Sequence, residues 1–178
     1  FALASTVNVV AVNDEPTLTA TAANPTYTED GPAVDLFSAV TAGTVEAGQT
    51  IAQVVFTVTN VQNGAAEKVT IDGQEVDLVA GTGATTANSV GYTITFAGST
   101  ATVTLDTASP ALTPAQIQTL VDAMAYRNTS QDPTAGARVV TITGLTDSGS
   151  NTAPNDAVAA FALASTVNVV AVNDEPTL

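Results

Sequence analysis

Apolar and polar residues alternate with a period of two along most of this chain, the pattern of strands that bury one face. The alternation is clearest over 54–61 (VVFTVTNV), 92–98 (YTITFAG), 101–106 (ATVTLD), 138–145 (RVVTITGL) and 164–172 (ASTVNVVAV), all rich in Val, Ile, Thr or Phe. Asp72-Gly73 separates 68–71 from 74–79 and predicts a two-residue hairpin. Gly98-Ser99 predicts a second tight connection. The small, polar run 81–89 (GTGATTANS) reads as a flexible surface loop.

One stretch changes period. Thr113, Pro114 and Gln116 supply an N-cap, a proline at the first helical position and the closing residue of a capping box. Ile117, Leu120, Val121 and Met124 then follow at i, i+3, i+4 and i+7, so a short amphipathic helix over about 114–125 lies on a sheet, with Tyr126 continuing its packing. Roughly seven to nine short strands with one crossover helix predict an all-β fold, a Greek-key β-sandwich of immunoglobulin or cadherin type.

The chain also repeats itself. Residues 1–18 and 161–178 both read FALASTVNVVAVNDEPTL, identical at all 18 positions with an offset of 160. Tandem units of about 160 residues are therefore expected in a longer parent protein. On that reading 1–11 is the last strand of a preceding repeat and 12–17 is a linker. Residues 18–171 form one complete sandwich, and 172–178 begin the next linker. Strand 1–11 then lacks its own sheet and exposes an unpaired edge that can pair with a neighbouring molecule.

Composition narrows the chemistry. With 17 Asp+Glu against 3 Lys+Arg, the formal charge is −14, which argues against nucleic acid and anionic membrane surfaces as partners. There is no His and no Cys, so neither a Ser-His-Asp triad nor a His/Cys zinc site can form. A hydrophobic fraction of 45% allows a packed core. No apolar run is long enough for a membrane helix. An enzyme is not expected, nor is membrane insertion; a monomer is.

The acids gather where strands end: Asn13-Asp14-Glu15, Glu29-Asp30, Asp132, and Asp147 with Ser148, Asn151 and Asp156; the first group recurs as Asn173-Asp174-Glu175. Oxygen donors without nitrogen or sulfur partners suit Ca²⁺. Strand parity divides them between two poles. Glu29, Asp30, Asp132, Asn173, Asp174 and Glu175 fall at one end, and Asn13, Asp14, Glu15, Asp147, Ser148 and Asn151 at the other. Carboxylates crowded in this way repel unless a cation lies between them. Taken singly, Asp147-Ser148-Gly149 is also an ordinary Asx-turn. Asp72 reads as a hairpin residue, and Asp35, Asp77, Asp106 and Asp122 as solvated face or turn positions. Arg138 is placed for a weak local ion pair with Asp132.

VNDEP after a Val-rich strand, TEDGP, YRNTSQDPTAG and VVTITGLTDSGSN before a final strand resemble the cadherin-like repeats of giant bacterial RTX-type surface adhesins. The resemblance covers nearly the whole unit. It implies an immunoglobulin-like extender domain in a stalk stiffened by Ca²⁺ at interdomain junctions. Such a stalk projects a distal module for adhesion or biofilm formation from the surface of a bacterium that secretes it, by a type I system, to the extracellular side. By position, Glu29 and Asp132 resemble the acids a cadherin-like unit gives to its C-terminal junction, with Asn173 and Asp174 as linker ligands; Asn13, Asp14 and Asp147 match the N-terminal junction. The full DxNDN linker of true cadherins is absent. The partners implied are adjacent identical repeats. The alternative is a repeat that itself binds a glycan or ice through Thr residues at 57/59, 93/95, 102/104 and 141/143, which share strand faces; Thr in a solvated sheet equally accounts for them.

Overall fold

The computed structural model describes residues 3–174. In chain order the elements are β1 (Thr17–Ala22), β2 (Thr26–Thr28), β3 (Val34–Asp35), β4 (Phe37–Gly43), β5 (Ile51–Val58), a 3₁₀ turn (Gly64–Ala66), β6 (Glu67–Ile71) and β7 (Gln74–Asp77). There follow β8 (Gly81–Ala84), β9 (Gly91–Ala97), β10 (Thr100–Asp106), α1 (Pro114–Asp122), β11 (Ala125–Asn128), β12 (Gly136–Asp147) and β13 (Val158–Val170).

Among the described residues the protein is all-β with one α-helix. A seven-stranded sheet runs β2-β13-β12-β5-β10-β9-β8, and the remaining strands form a four-stranded sheet β3-β11-β6-β7 and the pair β1-β4. Pairing is antiparallel throughout, except that the short β2 lies parallel to the end of β13. Alternation does what the sequence requires of it. On β5, Val54, Phe56 and Val58 are buried; on β10, Ala101, Val103 and Leu105 are buried while the intervening Thr residues are not. These side chains join Val69, Ile71 and Tyr126 of the smaller sheet, Leu18 and Phe37 of the β1-β4 pair, and Ile117, Leu120 and Val121 of α1 in one core. Phe56 is wholly buried there, and truncating such a residue to Ala costs about 3–5 kcal/mol.

Both hairpins form with the expected turn chemistry. Asp72 and Gly73 have φ of 52° and 76°, the pattern of a type I′ turn. Gly98 has φ of 61° and Ser99 does not share the positive sign, which matches type II′. The helix has the expected capping box: Gln116 N–H donates to Thr113 Oγ1 at 3.4 Å and Thr113 N–H to Gln116 Oε1 at 2.9 Å. It stops at Asp122, short of 125, because Met124 turns its carbonyl outward to accept the Leu36 N–H at 2.9 Å and Ala125 already begins β11.

Two expectations are corrected. The run 81–89 is not simply a flexible loop. Gly81–Ala84 pairs with β9 as an edge strand, and Thr85 is buried. Asp72 ties down residues 85–88, accepting from Thr85 Oγ1 at 2.6 Å and Asn88 N–H at 2.8 Å; these bonds outweigh partial burial and lower its pKa. Arg138 does not pair with Asp132. It is buried at the base of β12 against Glu67 of β6, with Nε to Oε2 at 3.1 Å and Nη2 to Oε1 at 3.2 Å. Both side chains are 0% exposed, so this is a core ion pair, not a surface one.

The pair is fully hydrogen-bonded, as a buried charge requires. Glu67 also accepts from Gln62 N–H, Asn63 N–H and the Tyr126 hydroxyl at 2.7, 2.9 and 2.8 Å. Burial pushes its pKa up, but the Arg138 guanidinium and these three donors prevail and hold it below the usual value. Burial, reinforced by the Glu67 carboxylate, raises the Tyr126 phenol. Arg138 donates onward to the carbonyls of Thr134 and Gly136 at 2.9 and 3.2 Å. The network thus fixes the loop that carries Gln131 and Asp132.

Candidate functional site

The poles lie at opposite ends of β13. Its 13 residues, at about 3.3 Å each, set them roughly 40 Å apart.

At the pole where β12 ends, the N-terminal linker is seated in the domain. Asn13 is 7% exposed and Asp147, the last residue of β12, 2% exposed. Asn13 Nδ2 donates to Asp147 Oδ1 at 3.3 Å and to the Asp156 carbonyl at 2.7 Å, and its Oδ1 accepts from Gln49 Nε2. Its backbone is held as well, N–H to Asn155 Oδ1 at 2.8 Å and carbonyl to Asp156 N–H at 2.9 Å. Asp14 N–H donates to the Glu46 carboxylate at 3.3 Å. Ser148 and Asn151 shape the loop above: Ser148 Oγ accepts from Thr50 N–H at 3.1 Å, and Asn151 Oδ1 from Ala157 N–H at 3.2 Å. Asp147 Oδ1 also caps Gly149 N–H at 2.8 Å, the expected Asx-turn. Asp14 and Glu15 are exposed.

The Asx-turn leaves something over. Among the described residues, Asp147 Oδ2 is buried with no hydrogen-bond partner, and so is Gln49 Oε1. An acceptor sealed from water without a donor costs about 1–3 kcal/mol, more when charged.

At the other pole the same situation recurs from different residues. TEDGP makes a tight turn after β2: Asp30 has φ of 58°, and Gly31 N–H bonds the Thr28 carbonyl at 2.9 Å. A Cβ on Gly31 would lie 2.7 Å from that carbonyl oxygen, so the turn needs glycine. The turn aims Glu29 at the C-terminal linker. Glu29 is 6% exposed; its Oε2 accepts the Val172 N–H at 2.7 Å, while Oε1 is buried and has no partner among the described residues. Asp30 Oδ1 accepts from Gln131 Nε2 at 2.9 Å, which brings the loop of Asp132 to this pole. Asp132 itself is exposed and gives only its backbone N–H, to Ser130 Oγ at 3.2 Å. Asn173 Nδ2 turns to the Asp174 carbonyl at 3.1 Å, and both residues are exposed. Glu175 lies outside the described residues.

Among the described residues no three acidic side chains converge as a ready metal cage. Each pole instead offers one buried carboxylate with a free oxygen and exposed linker acids, and the Asp147 pole adds the free amide oxygen of Gln49. Gln49, Glu46, Asn155 and Gln131 also belong to the poles, though no motif in the sequence marks them. A lone amide or acid between strands carries no pattern by which to find it. No known protein-family profile matches this chain, and neither curated proteins nor solved structures include a significant match. No helix among the described residues is long and apolar enough to cross a membrane.

Proposed function

We propose that this chain carries one structural extender repeat of a longer, secreted bacterial surface adhesin, stiffened by Ca²⁺ where successive repeats meet. The observation that carries this is the duplicated linker. One copy is seated beside Asp147 and the other is held by Glu29, and each pole buries one carboxylate oxygen with no partner. A hard cation that accepts irregular sets of carboxylate, amide and carbonyl oxygens answers that need, and Ca²⁺ is such a cation.

At the pole of Asp147 the candidate ligands are Asp147 and Gln49, which have buried free oxygens, with Asp14 and Glu15 as the exposed acids of the adjoining linker. At the other they are Glu29, Asp30, Asp132 and Asp174. Ser148 and Asn151 keep the loop in shape. When bound, the ion neutralises carboxylates that otherwise repel across the linker. Tandem duplication builds length, and the resemblance to RTX adhesin repeats supplies the setting: an extracellular stalk, in surroundings where weak Ca²⁺ sites of about 10⁻⁴–10⁻³ M are filled.

Calorimetric titration of the chain with Ca²⁺ tests this. Binding in that range, reduced by Glu29→Gln and by Asp147→Asn separately, supports it. No heat of binding, or binding indifferent to both substitutions, refutes it.

One observation favours a second reading, a repeat that binds ice or a regular polymer directly. Thr141, Thr57, Thr102 and Thr95 stand in one row across β12, β5, β10 and β9, about 4.8 Å apart from strand to strand. An ice-recrystallisation assay separates the two readings.

A further inference from the structure

We propose that Asn173 is a plug for the next repeat: it enters the pocket that Asn13 fills here and locks neighbouring repeats together by protein hydrogen bonds, without a cation. This rests on the tandem arrangement in the proposed function, but not on calcium.

Three observations carry it. First, Asn13 is bonded as a tie. Its side-chain nitrogen is engaged by Asp147 and Asp156 and its oxygen by Gln49, while its backbone N–H and carbonyl are held by Asn155 and Asp156. Second, the pocket is shaped to that side chain. A Cβ on Gly149 would lie 2.0 Å from Asn13 Oδ1 and 2.3 Å from its Cγ, so only a residue without a side chain fits there while Asn13 is seated. Third, Val172-Asn173-Asp174 is the same sequence as Val12-Asn13-Asp14.

Placing both grips on one linker gives the result. A repeat holds the N–H of its own Val172 through Glu29. The following repeat holds the next residue, Asn173, in its Asp147 pocket. Consecutive Cα atoms are about 3.8 Å apart, so the two domains grip adjacent residues with no free residue between them. The joint therefore has a fixed spacing and a narrow range of angles. The partner this surface fits is the N-terminal pole of an identical repeat, approached head to tail, a heterologous contact that continues indefinitely along a stalk.

Two measurements in EDTA test the plug. In the present chain, amide exchange reads the pocket directly. Asn13→Ala and Gly149→Ala should each lower protection of the Asp156 N–H by about tenfold, for loss of the Asn13 side-chain bonds, with the β5 and β10 amides unchanged. The joint itself is read in a two-repeat chain, residues 1–178 continued by a second copy of 19–178. The sequence has no Cys, so Ser99→Cys in each repeat places one spin label per domain. The interdomain distance distribution should be narrow without Ca²⁺. It should broaden with Asn173→Ala at the joint, and also with Gly149→Ala in the second repeat, which alters no oxygen ligand. A distribution that is broad without Ca²⁺ and narrow with it, whatever stands at Asn173 or Gly149, overturns the plug and leaves the calcium reading intact. A width set by both substitutions and indifferent to Ca²⁺ supports the plug and removes calcium as the stiffener.

Discussion

Replacing Asp147 by Asn separates a calcium ligand from a structural hydrogen-bond acceptor, because only the first makes the effect of the substitution depend on Ca²⁺. The substitution keeps Oδ1, which caps Gly149 and accepts from Asn13. It exchanges the unpartnered Oδ2 for a neutral donor, in a pocket that also contains the unpartnered Gln49 Oε1. Without metal, the wild-type cost of a buried, unpaired charged oxygen, roughly 1–3 kcal/mol, is relieved in part. The melting temperature in EDTA is therefore expected to stay level or rise by a few degrees. With about 5 mM Ca²⁺ and a dissociation constant of about 0.1–1 mM, the wild type gains RT ln(1 + [L]/Kd), about 1–2.3 kcal/mol for one site. At about 2–4 °C per kcal/mol for a domain of this size, that is roughly 2–9 °C, and Asp147→Asn should forfeit it at that pole. Differential scanning fluorimetry of both proteins in EDTA and in Ca²⁺ reads all four values. An equal gain from Ca²⁺ in both proteins would refute Asp147 as a ligand and leave it as a turn cap, which Asn supplies as well.

The buried ion pair sets further expectations. Arg138→Met strands the Glu67 carboxylate in the core and releases the carbonyls of Thr134 and Gly136; a loss of about 3–5 kcal/mol is expected by urea denaturation, and a loss under about 1 kcal/mol would contradict the burial of the pair. Because the folded pKa of Glu67 is depressed, its contribution is present above the unfolded value of about 4.3 and disappears as pH falls through the lower folded value. The urea midpoint should thus hold between about pH 5 and 7 and fall below about 4.3, less steeply in Glu67→Gln; an identical acid slope in that variant would remove Glu67 as a contributor.

Residues whose environment is local were legible in the sequence. The alternating strands, the Asp72-Gly73 turn and the Thr113–Gln116 box each depend on neighbours a few positions away. The duplicated segment shows where that legibility stops. Val7 and Val167 occupy the same place in identical sequences, yet one is 81% and the other 0% exposed; for Val9 and Val169 the figures are 86% and 1%. Only the second copy has β12 and β2 beside it. Edge strand β8 was hidden for a similar reason: its GTGA sequence has little β-propensity, and its pairing is supplied by β9. The partner of Arg138 lies 71 residues away in the other sheet, beyond any spacing argument. At the poles, the TEDGP turn and Asp147 could be read as turn formers, but the unpartnered oxygens could not, since they depend on which backbone N–H groups the fold brings near.

If Ca²⁺ binds the folded poles, thermal unfolding of the chain differs between Ca²⁺, Mg²⁺ and EDTA. A rise of roughly 2–9 °C per occupied pole is predicted with about 5 mM Ca²⁺, with a smaller rise in Mg²⁺, whose strict octahedral demand these mixed oxygens suit less well. Identical melting in all three solutions would rule out calcium at the poles, leaving Asp147 and Glu29 as buried turn residues and the stalk supported by the duplicated segment alone.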